Sequence, residues 1–204
     1  MFTGIVQATC DVVDIQKKDK LNTLAISLPP ELRKDLSLGA SIATNGVCLT
    51  VTGWQDDRVF FDVMEETLSL TNLAALVPGS RVNIERSLTF GKEIGGHLLS
   101  GHIHTKARVV GVQMNGLQKD LRLELAPQWM KYVLYKGFIG VNGCSLTVGE
   151  VTRNQFRLHL IPETLRLTNL SLVSEGDWLN IEIDSQTQTI VDTVERVLAA
   201  RQVQ

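Results

Sequence analysis

Nothing in the chain is densely basic. Lysine and arginine total 20 against 22 aspartates and glutamates, a formal charge of −2, so there is no electrostatic footprint for nucleic acid. Cysteine is scarce and scattered. Cys10, Cys48 and Cys144 lie far apart without any C-x-x-C, which argues against a disulfide framework and a cysteine-rich zinc site. An odd cysteine count also fits a reducing compartment. No apolar run reaches the roughly 18 residues of a membrane helix, and Met1-Phe2-Thr3-Gly4-Ile5-Val6 offers neither a basic leader region nor a long apolar one. These absences predict a cytoplasmic protein with no nucleic-acid or membrane partner. What remains is ordinary globular composition, 44% hydrophobic and 21% charged over 204 residues, enough for one large domain or two smaller ones.

The chain repeats itself at an unbroken offset of 97 residues. Asn45-Gly46-Val47-Cys48-Leu49-Thr50-Val51 returns as Asn142-Gly143-Cys144-Ser145-Leu146-Thr147-Val148. Glu66-Thr67-Leu68-Ser69-Leu70-Thr71-Asn72-Leu73 returns as Glu163-Thr164-Leu165-Arg166-Leu167-Thr168-Asn169-Leu170, and Asn83-Ile84-Glu85 as Asn180-Ile181-Glu182. From Gly4 to Glu85 against Gly101 to Glu182 there are 25 identities in 82 positions, where chance composition gives about 5 or 6. The chain is a duplicated domain, and two similar domains supply two similar pockets.

Each half reads as β-structure. Leu24, Ile26 and Leu28 alternate with Ala25 and Ser27, and Leu121, Leu123 and Leu125 with Arg122 and Glu124, the period of a strand with one buried face. Residues 59–63 and 81–85 give further short strands, and Asn45-Gly46 and Asn142-Gly143 supply tight corners. A short helical piece is expected over 66–76 and again over 163–172. An open sheet would leave long unpaired edges in both halves, so the pattern predicts a mainly β fold of two tandem six-stranded Greek-key β-barrels. From Thr187 the pattern changes to a helical stripe of Ile190, Val191, Val194, Val197, Leu198 and Arg201. That C-terminal α-helix either packs on its own barrel or forms an oligomer seam. The predicted domains are residues 1–97, 98–186 and 187–204.

The mismatches between halves are chemical. Cys48 faces Ser145 across the repeat, Asp62 faces His159, Glu65 faces Pro162, Ile5 faces His102, Gly39 faces Lys136, and Ser87 faces Asp184. Ionisable and nucleophilic types exchange at the edges of fixed motifs, as two sites with divided roles would require. Drift on a solvated surface would produce some of the same pattern. His97, His102 and His104 follow Gly95 and Gly96 closely; they could ligate a metal, although no carboxylate or cysteine set accompanies them at regular spacing. Each could equally be a satisfied structural histidine. The third reading is a glycine-rich segment whose backbone approaches a flat ligand, with His102 as its functional member. Cys48 has a plain reading as a small core residue, Thr50 and Thr147 as strand formers, and the Glu-Thr pairs as helix starts.

Taken together, residues 1–6, the paired Asn-Gly-x-[Cys/Ser]-Leu-Thr-Val motifs, Gly95-Gly96-His97-Leu98-x-Ser-Gly-His102 and Val191-Asp192-Thr193-Val194-Glu195-Arg196 resemble the α-chain type of the riboflavin synthase family. The resemblance spans the whole chain. It implies two tandem barrels, a C-terminal helix holding a homotrimer, no cofactor and no metal. It implies a transferase that dismutates two molecules of 6,7-dimethyl-8-ribityllumazine, with each active site formed between two subunits. Carried over by motif, the first barrel's pocket takes Gly4, Ile5, Val6, Cys48, Leu49, Thr50, Asp62, Val63, Met64, Glu65, Glu66 and Thr67. The second takes Gly101, His102, Ile103, Lys136, Ser145, Leu146, Thr147, His159, Leu160, Ile161, Pro162, Glu163 and Thr164. His102 is the candidate proton-transfer group, Ser145, Cys48 or a bound water the candidate for the addition step, and Asp184 an assisting group. Some relatives bind lumazine or flavin and fluoresce without turnover. Here His102, Lys136, Ser145, Thr147 and Asp184 all stand, which favours the enzyme over that reading and over a ligand-free structural barrel. An association with lumazine synthase is left open.

Overall fold

A computed structural model describes residues 1–202. The expected C-terminal segment 187–204 therefore includes two positions, 203 and 204, that lie outside the described residues. The first barrel contains β1 (Ala8–Lys18), β2 (Leu21–Ser27), β3 (Ser41–Thr44), β4 (Val47–Gln55), β5 (Arg58–Met64) and β6 (Arg81–Arg86). They close in the order β1-β2-β5-β4-β3-β6, every pair antiparallel. The alternation that identified the strands sets their inward faces: Leu24, Ile26, Val59, Phe61, Val82 and Ile84 are fully buried. A short helix, α1 (Pro30–Arg33), follows β2, and α2 (Glu65–Leu70) with a 3-10 turn at Asn72–Ala75 connects β5 to β6.

The second half repeats this plan with β7 (Thr105–Asn115), β8 (Gln118–Glu124), α3 (Pro127–Met130), β9 (Phe138–Val141), β10 (Cys144–Thr147), β11 (Gln155–Leu160), α4 (Pro162–Leu167), a 3-10 turn at Asn169–Leu172, and β12 (Trp178–Ile183). Its six strands keep the same circular order, but the ladder is open between β10 and β11. There Gly149 N–H donates to the Arg157 carbonyl at 2.8 Å and Arg157 N–H to the Glu150 carbonyl at 2.9 Å, with a single bridge at Val151–Phe156. The barrel thus closes through irregular backbone. In the first half the equivalent stretch is a continuous strand with one register shift between Val51 and Gly53.

Six asparagines, identical across the repeat, join the barrels about a pseudo-twofold axis. Asn83 donates to the Asn142 carbonyl and Asn180 to the Asn45 carbonyl, each at 2.9 Å. The backbone N–H of Asn72 donates to the Asn180 side chain, and that of Asn169 to the Asn83 side chain, both at 2.7 Å. Asn72 Nδ2 reaches Asn142 Oδ1 and Asn169 Nδ2 reaches Asn45 Oδ1, both at 3.0 Å. A buried amide left unpaired costs about 1–3 kcal/mol, so a fully paired network fixes one relative placement of the barrels. On the axis itself Gly46 and Gly143 meet backbone to backbone. A Cβ on Gly46 would lie 2.7 Å from the Gly143 nitrogen, and the reverse contact is also 2.7 Å.

Last comes α5 (Ser185–Gln202), whose start is capped by Asp184 accepting from the Thr187 N–H and hydroxyl. One side of α5 is tied to the second barrel: Val191 packs on its core, Asp192 accepts from the Tyr132 hydroxyl, and Glu195 pairs with Lys131. Ile190, Val194, Val197 and Leu198 point away and remain about half exposed. The stripe read from sequence therefore divides into a packed face and an open one.

Candidate functional site

Burial separates the candidate residues by what their side chains can do. Leu49, Val63 and Leu160 point into the barrel cores, so any ligand role for them is through backbone groups. Cys48, Thr50, Asp62 and Met64 alternate with them and project from the outer face of β4 and β5. On the second barrel Ser145, Thr147, His159 and Ile161 project in the same way. Glu65, Glu66, Pro162 and Glu163 lie exposed at the starts of α2 and α4, with Thr67 and Thr164 half-buried behind them. Each half therefore presents a polar outer patch on its barrel.

The grouping of the glycine segments differs from the expected one, because each crosses to the other barrel. The Ser145 N–H donates to the Gly4 carbonyl and the Cys48 N–H to the Gly101 carbonyl, both at 2.8 Å. Val6 belongs to the core of the second barrel and Ile103 to that of the first. Gly4, Ile5 and Val6 thus accompany Ser145, Leu146 and Thr147, while Gly101, His102 and Ile103 accompany Cys48, Leu49 and Thr50. The repeat identified equivalent segments but carried no signal for which barrel each would join. Both crossings need glycine: Gly4 has φ +74° and Gly101 φ +82°, and a Cβ would fall 2.5 Å from Ser145 Cβ or 2.6 Å from Cys48 Cβ.

Buried carboxyls hold the crossings. Glu85 accepts from Thr3 N–H and Oγ1 at 2.7 Å each and from Gly4 N–H at 3.0 Å. Glu182 accepts from Ser100 N–H at 2.6 Å, Ser100 Oγ at 2.7 Å and Gly101 N–H at 3.1 Å. Burial pushes both carboxyls above the ordinary glutamate range, against the pull of these donors. Neither glutamate was marked as special by type or spacing beyond its repetition in Asn-Ile-Glu.

The polar differences between the halves extend to their neighbours. Thr23 donates to Asp62 at 2.7 Å across β2 and β5, and at the equivalent place Asp120 pairs with His159 at 2.7 Å. The carboxylate has moved one strand over, and a histidine occupies its former position. Lys136 takes the place of Gly39 and keeps its left-handed backbone at φ 65°, a conformation that disfavours residues with a Cβ. Its ammonium lies over the Tyr135 ring.

The three histidines have three different surroundings and do not converge. His102 is exposed, with its backbone N–H donating to Ser100 Oγ. His104 bridges β12 and α5: its Nδ1 accepts from the Ile183 N–H at 3.2 Å and its Nε2 lies 3.1 Å from Gln188 Oε1. His97 is buried beside Ser145, with Nδ1 2.7 Å from Oγ. Among the described residues no group of histidine, cysteine and carboxylate side chains is arranged to hold a metal ion. Cys10 and Cys144 are core residues whose thiols burial pushes up to about 12, leaving Cys48 as the half-buried thiol at a candidate site. A cavity of about 740 Å³ lies elsewhere, along the inter-barrel seam between Asn72, Lys106, Asn169 and Trp178.

Burial lowers His97 and His104 below the ordinary value of 6.5; Asp184 opposes the shift at His97, and Gln188 opposes it at His104. The unfolded chain therefore takes up these protons first. Their contribution to stability is intact above pH 6.5 and is lost as pH falls from there through the lowered folded values, by up to about 1.4 kcal/mol per pH unit for each proton. Urea midpoints should fall between pH 7.5 and 5.5, and His104→Gln should flatten that slope. An equal slope in the variant would remove His104 as a contributor.

A family model described as the lumazine binding domain matches residues 3–87 and again 100–184. The chain is 52% identical over 203 residues to riboflavin synthase of Escherichia coli (strain K12), covering 99% of this chain and 95% of that one. It is 40% identical over 200 residues to riboflavin synthase of Chlamydia pneumoniae, covering 98% of each. A crystal structure of LumP complexed with riboflavin superposes with a TM-score of 0.83 at 27% identity, covering 90% of this chain and 99% of that one.

Proposed function

The chain belongs to the lumazine-binding family of riboflavin synthases, and we propose that it catalyses that reaction. Two molecules of 6,7-dimethyl-8-ribityllumazine exchange a four-carbon unit, giving riboflavin and 5-amino-6-ribitylamino-uracil. What one ring gains the other loses, so the exchange requires no external oxidant. The observation that carries this reading is a pair of outer patches with one backbone frame and different chemistry. Two copies of one substrate require similar frames; a donor and an acceptor require unequal side chains.

In this reading Cys48, Thr50, Asp62, Met64, Glu66, Thr67 and His102 serve one lumazine. Lys136, Ser145, Thr147, His159, Ile161, Glu163, Thr164 and Ile5 serve the other. Backbone groups of Gly4, Val6, Leu49, Val63, Glu65, Gly101, Ile103, Leu146, Leu160 and Pro162 complete the two frames. The reaction must deprotonate the acidic 7-methyl group of one ring, and exposed His102 is suited to that transfer. Holding the two rings face to face turns a bimolecular encounter into a local one.

Residues 1–97 and 98–186 each carry most of one substrate patch, with Gly4–Val6 and Gly101–Ile103 exchanged between them, and 187–204 carry the seam of a homotrimer that brings the first patch of one subunit against the second of its neighbour. The open face of α5, with Ile190, Val194, Val197 and Leu198 exposed, supports that seam. Truncation after Asp184 should yield monomers by light scattering and abolish turnover; a stable trimer would place the seam elsewhere. No helix among the described residues is long and apolar enough to cross a membrane, in keeping with a cytoplasmic enzyme.

The direct test is the purified protein with the lumazine and no added cofactor, followed by riboflavin absorbance. One riboflavin per two lumazines establishes the dismutation. The likeness to LumP favours a second reading, ligand binding without turnover; tight binding with no product would select it. His102→Gln should lower kcat by about a hundredfold with little change in affinity, and unchanged kcat would remove His102 from the proton transfer.

A further inference from the structure

Ser145 sits in a cradle that leaves its hydroxyl little freedom. Gly4 and Gly96 close on it so tightly that a Cβ on either would lie within 2.7 Å of Ser145 Cβ. His97 completes the cradle, with Nδ1 2.7 Å from Oγ. The imidazole is only 7% exposed and stacks on Phe138, centroids 5.2 Å apart at 17°. Its other nitrogen, Nε2, is fully buried and has no hydrogen-bond partner among the described residues.

This arrangement resembles the serine–histidine pair of a nucleophilic enzyme, but it lacks the third member. Where a histidine takes a serine proton, a carboxylate or carbonyl receives the N–H on the far side of the ring. Here Asp184 is near enough to be felt electrostatically at His97, yet the bonds it makes are to the start of α5, through Thr187. If Nδ1 accepted the serine proton, the result would be a buried imidazolium with a bare Nε2–H. Even without transfer, a neutral ring accepting from Oγ–H would carry its proton on Nε2 as an orphaned buried donor, costing about 1–3 kcal/mol. A buried unpaired acceptor is the more tolerable defect. The favoured tautomer carries its proton on Nδ1 and donates it to Ser145 Oγ.

We propose that His97 is a positioning residue whose Nδ1–H locks Ser145 Oγ, turning the serine proton outward. Ser145 then acts as a hydrogen-bond donor to a carbonyl or ring-nitrogen acceptor on the bound heteroaromatic ring, and not as the nucleophile. The device belongs to one site only. Cys48, which faces Ser145 across the repeat, packs with Phe2, Ala43 and Leu99, and among the described residues no histidine bonds its thiol. The linker between the halves thereby makes the two patches unequal. The inference rests on the lumazine-binding reading of this site, and its first test is independent of turnover.

That test is the nitrogen-15 spectrum of the full-length labelled protein. His97 should show a protonated Nδ1 and a bare Nε2, and its signals should shift when 6,7-dimethyl-8-ribityllumazine is added. A proton on Nε2 overturns the proposal whether or not riboflavin forms. Three variants provide the kinetic test. His97→Asn, whose amide N–H can replace Nδ1–H, should keep kcat within about threefold, whereas His97→Leu should raise KM. Ser145→Ala should raise KM about tenfold, as for one lost hydrogen bond, with kcat falling less. A loss of kcat of a thousandfold or more in Ser145→Ala, with affinity unchanged, would restore Ser145 as nucleophile and overturn the proposal. Failure of wild-type turnover would instead count against the proposed reaction and leave the tautomer to decide this inference.

Discussion

Phe2→Ala is expected to destabilise the fold by about 3–5 kcal/mol and to abolish activity, although residue 2 is almost at the chain terminus. Phe2 is 1% exposed and packs with Ala43, Leu99 and Cys48. Its backbone pairs with Leu99 in both directions, at 2.8 and 3.0 Å. Terminal residues usually fray; this one is fixed because it forms a bridge with the linker midway along the chain. Truncating the ring opens a cavity beneath Cys48 and loosens Thr3 and Gly4, which run on to Ser145. Both patches should suffer from one substitution. Urea unfolding with a riboflavin assay checks this, and Phe2→Leu should recover most of the stability. A native midpoint with lost activity would mean that the ring acts at the site itself.

The second large effect is expected at the pseudo-twofold axis. Gly46 has φ +81° and Gly143 φ +78°, and each blocks a Cβ on the other. Gly46→Ala must both occupy the left-handed region and push backbone from backbone, at about 2–4 kcal/mol. Gly143→Ala should cost a similar amount. The double variant should cost clearly less than the sum, because the first substitution already separates the strands and the second exploits the gap. Strictly additive losses would show that the glycines do not share one contact.

Much of this architecture is legible in the sequence. An ungapped repeat states that there are two equivalent domains, and alternation in Leu24, Ile26 and Leu28 states which faces are buried. The helical pieces after Met64 and Ile161 follow from the same repeat, and Thr71 and Thr168 mark where each bends, accepting from Leu73 and Leu170 N–H. Other features are opaque for physical reasons. Equivalence is not adjacency, so nothing in the repeat tells that Gly4 crosses to Ser145. Asn-Gly reads as a corner, and it is one, but the pairing of six asparagines across the seam is tertiary. His97 escapes comparison because it lies between the two repeated segments, 3–87 and 100–184. Nothing in the sequence marks Lys119, whose ammonium is buried and donates to the carbonyls of Leu170, Ser171 and Val173.

The asparagine seam also bears on how the halves came to differ. Nearly every contact in it has its mirror, so the surface is close to self-complementary, and a free half could pair with its own copy much as with the other half. Joining the halves through residues 87–104 changes the competition. The covalent partner is always present at an effective concentration on the order of millimolar, above that of any free copy in dilute solution. Mixed pairing becomes the rule without any change in the interface. Substitutions tolerable only when confined to one side, such as Lys136 opposite Gly39 or His159 opposite Asp62, can then accumulate without being forced on both. The tether converts a symmetric surface into a reliable means of keeping unlike partners together.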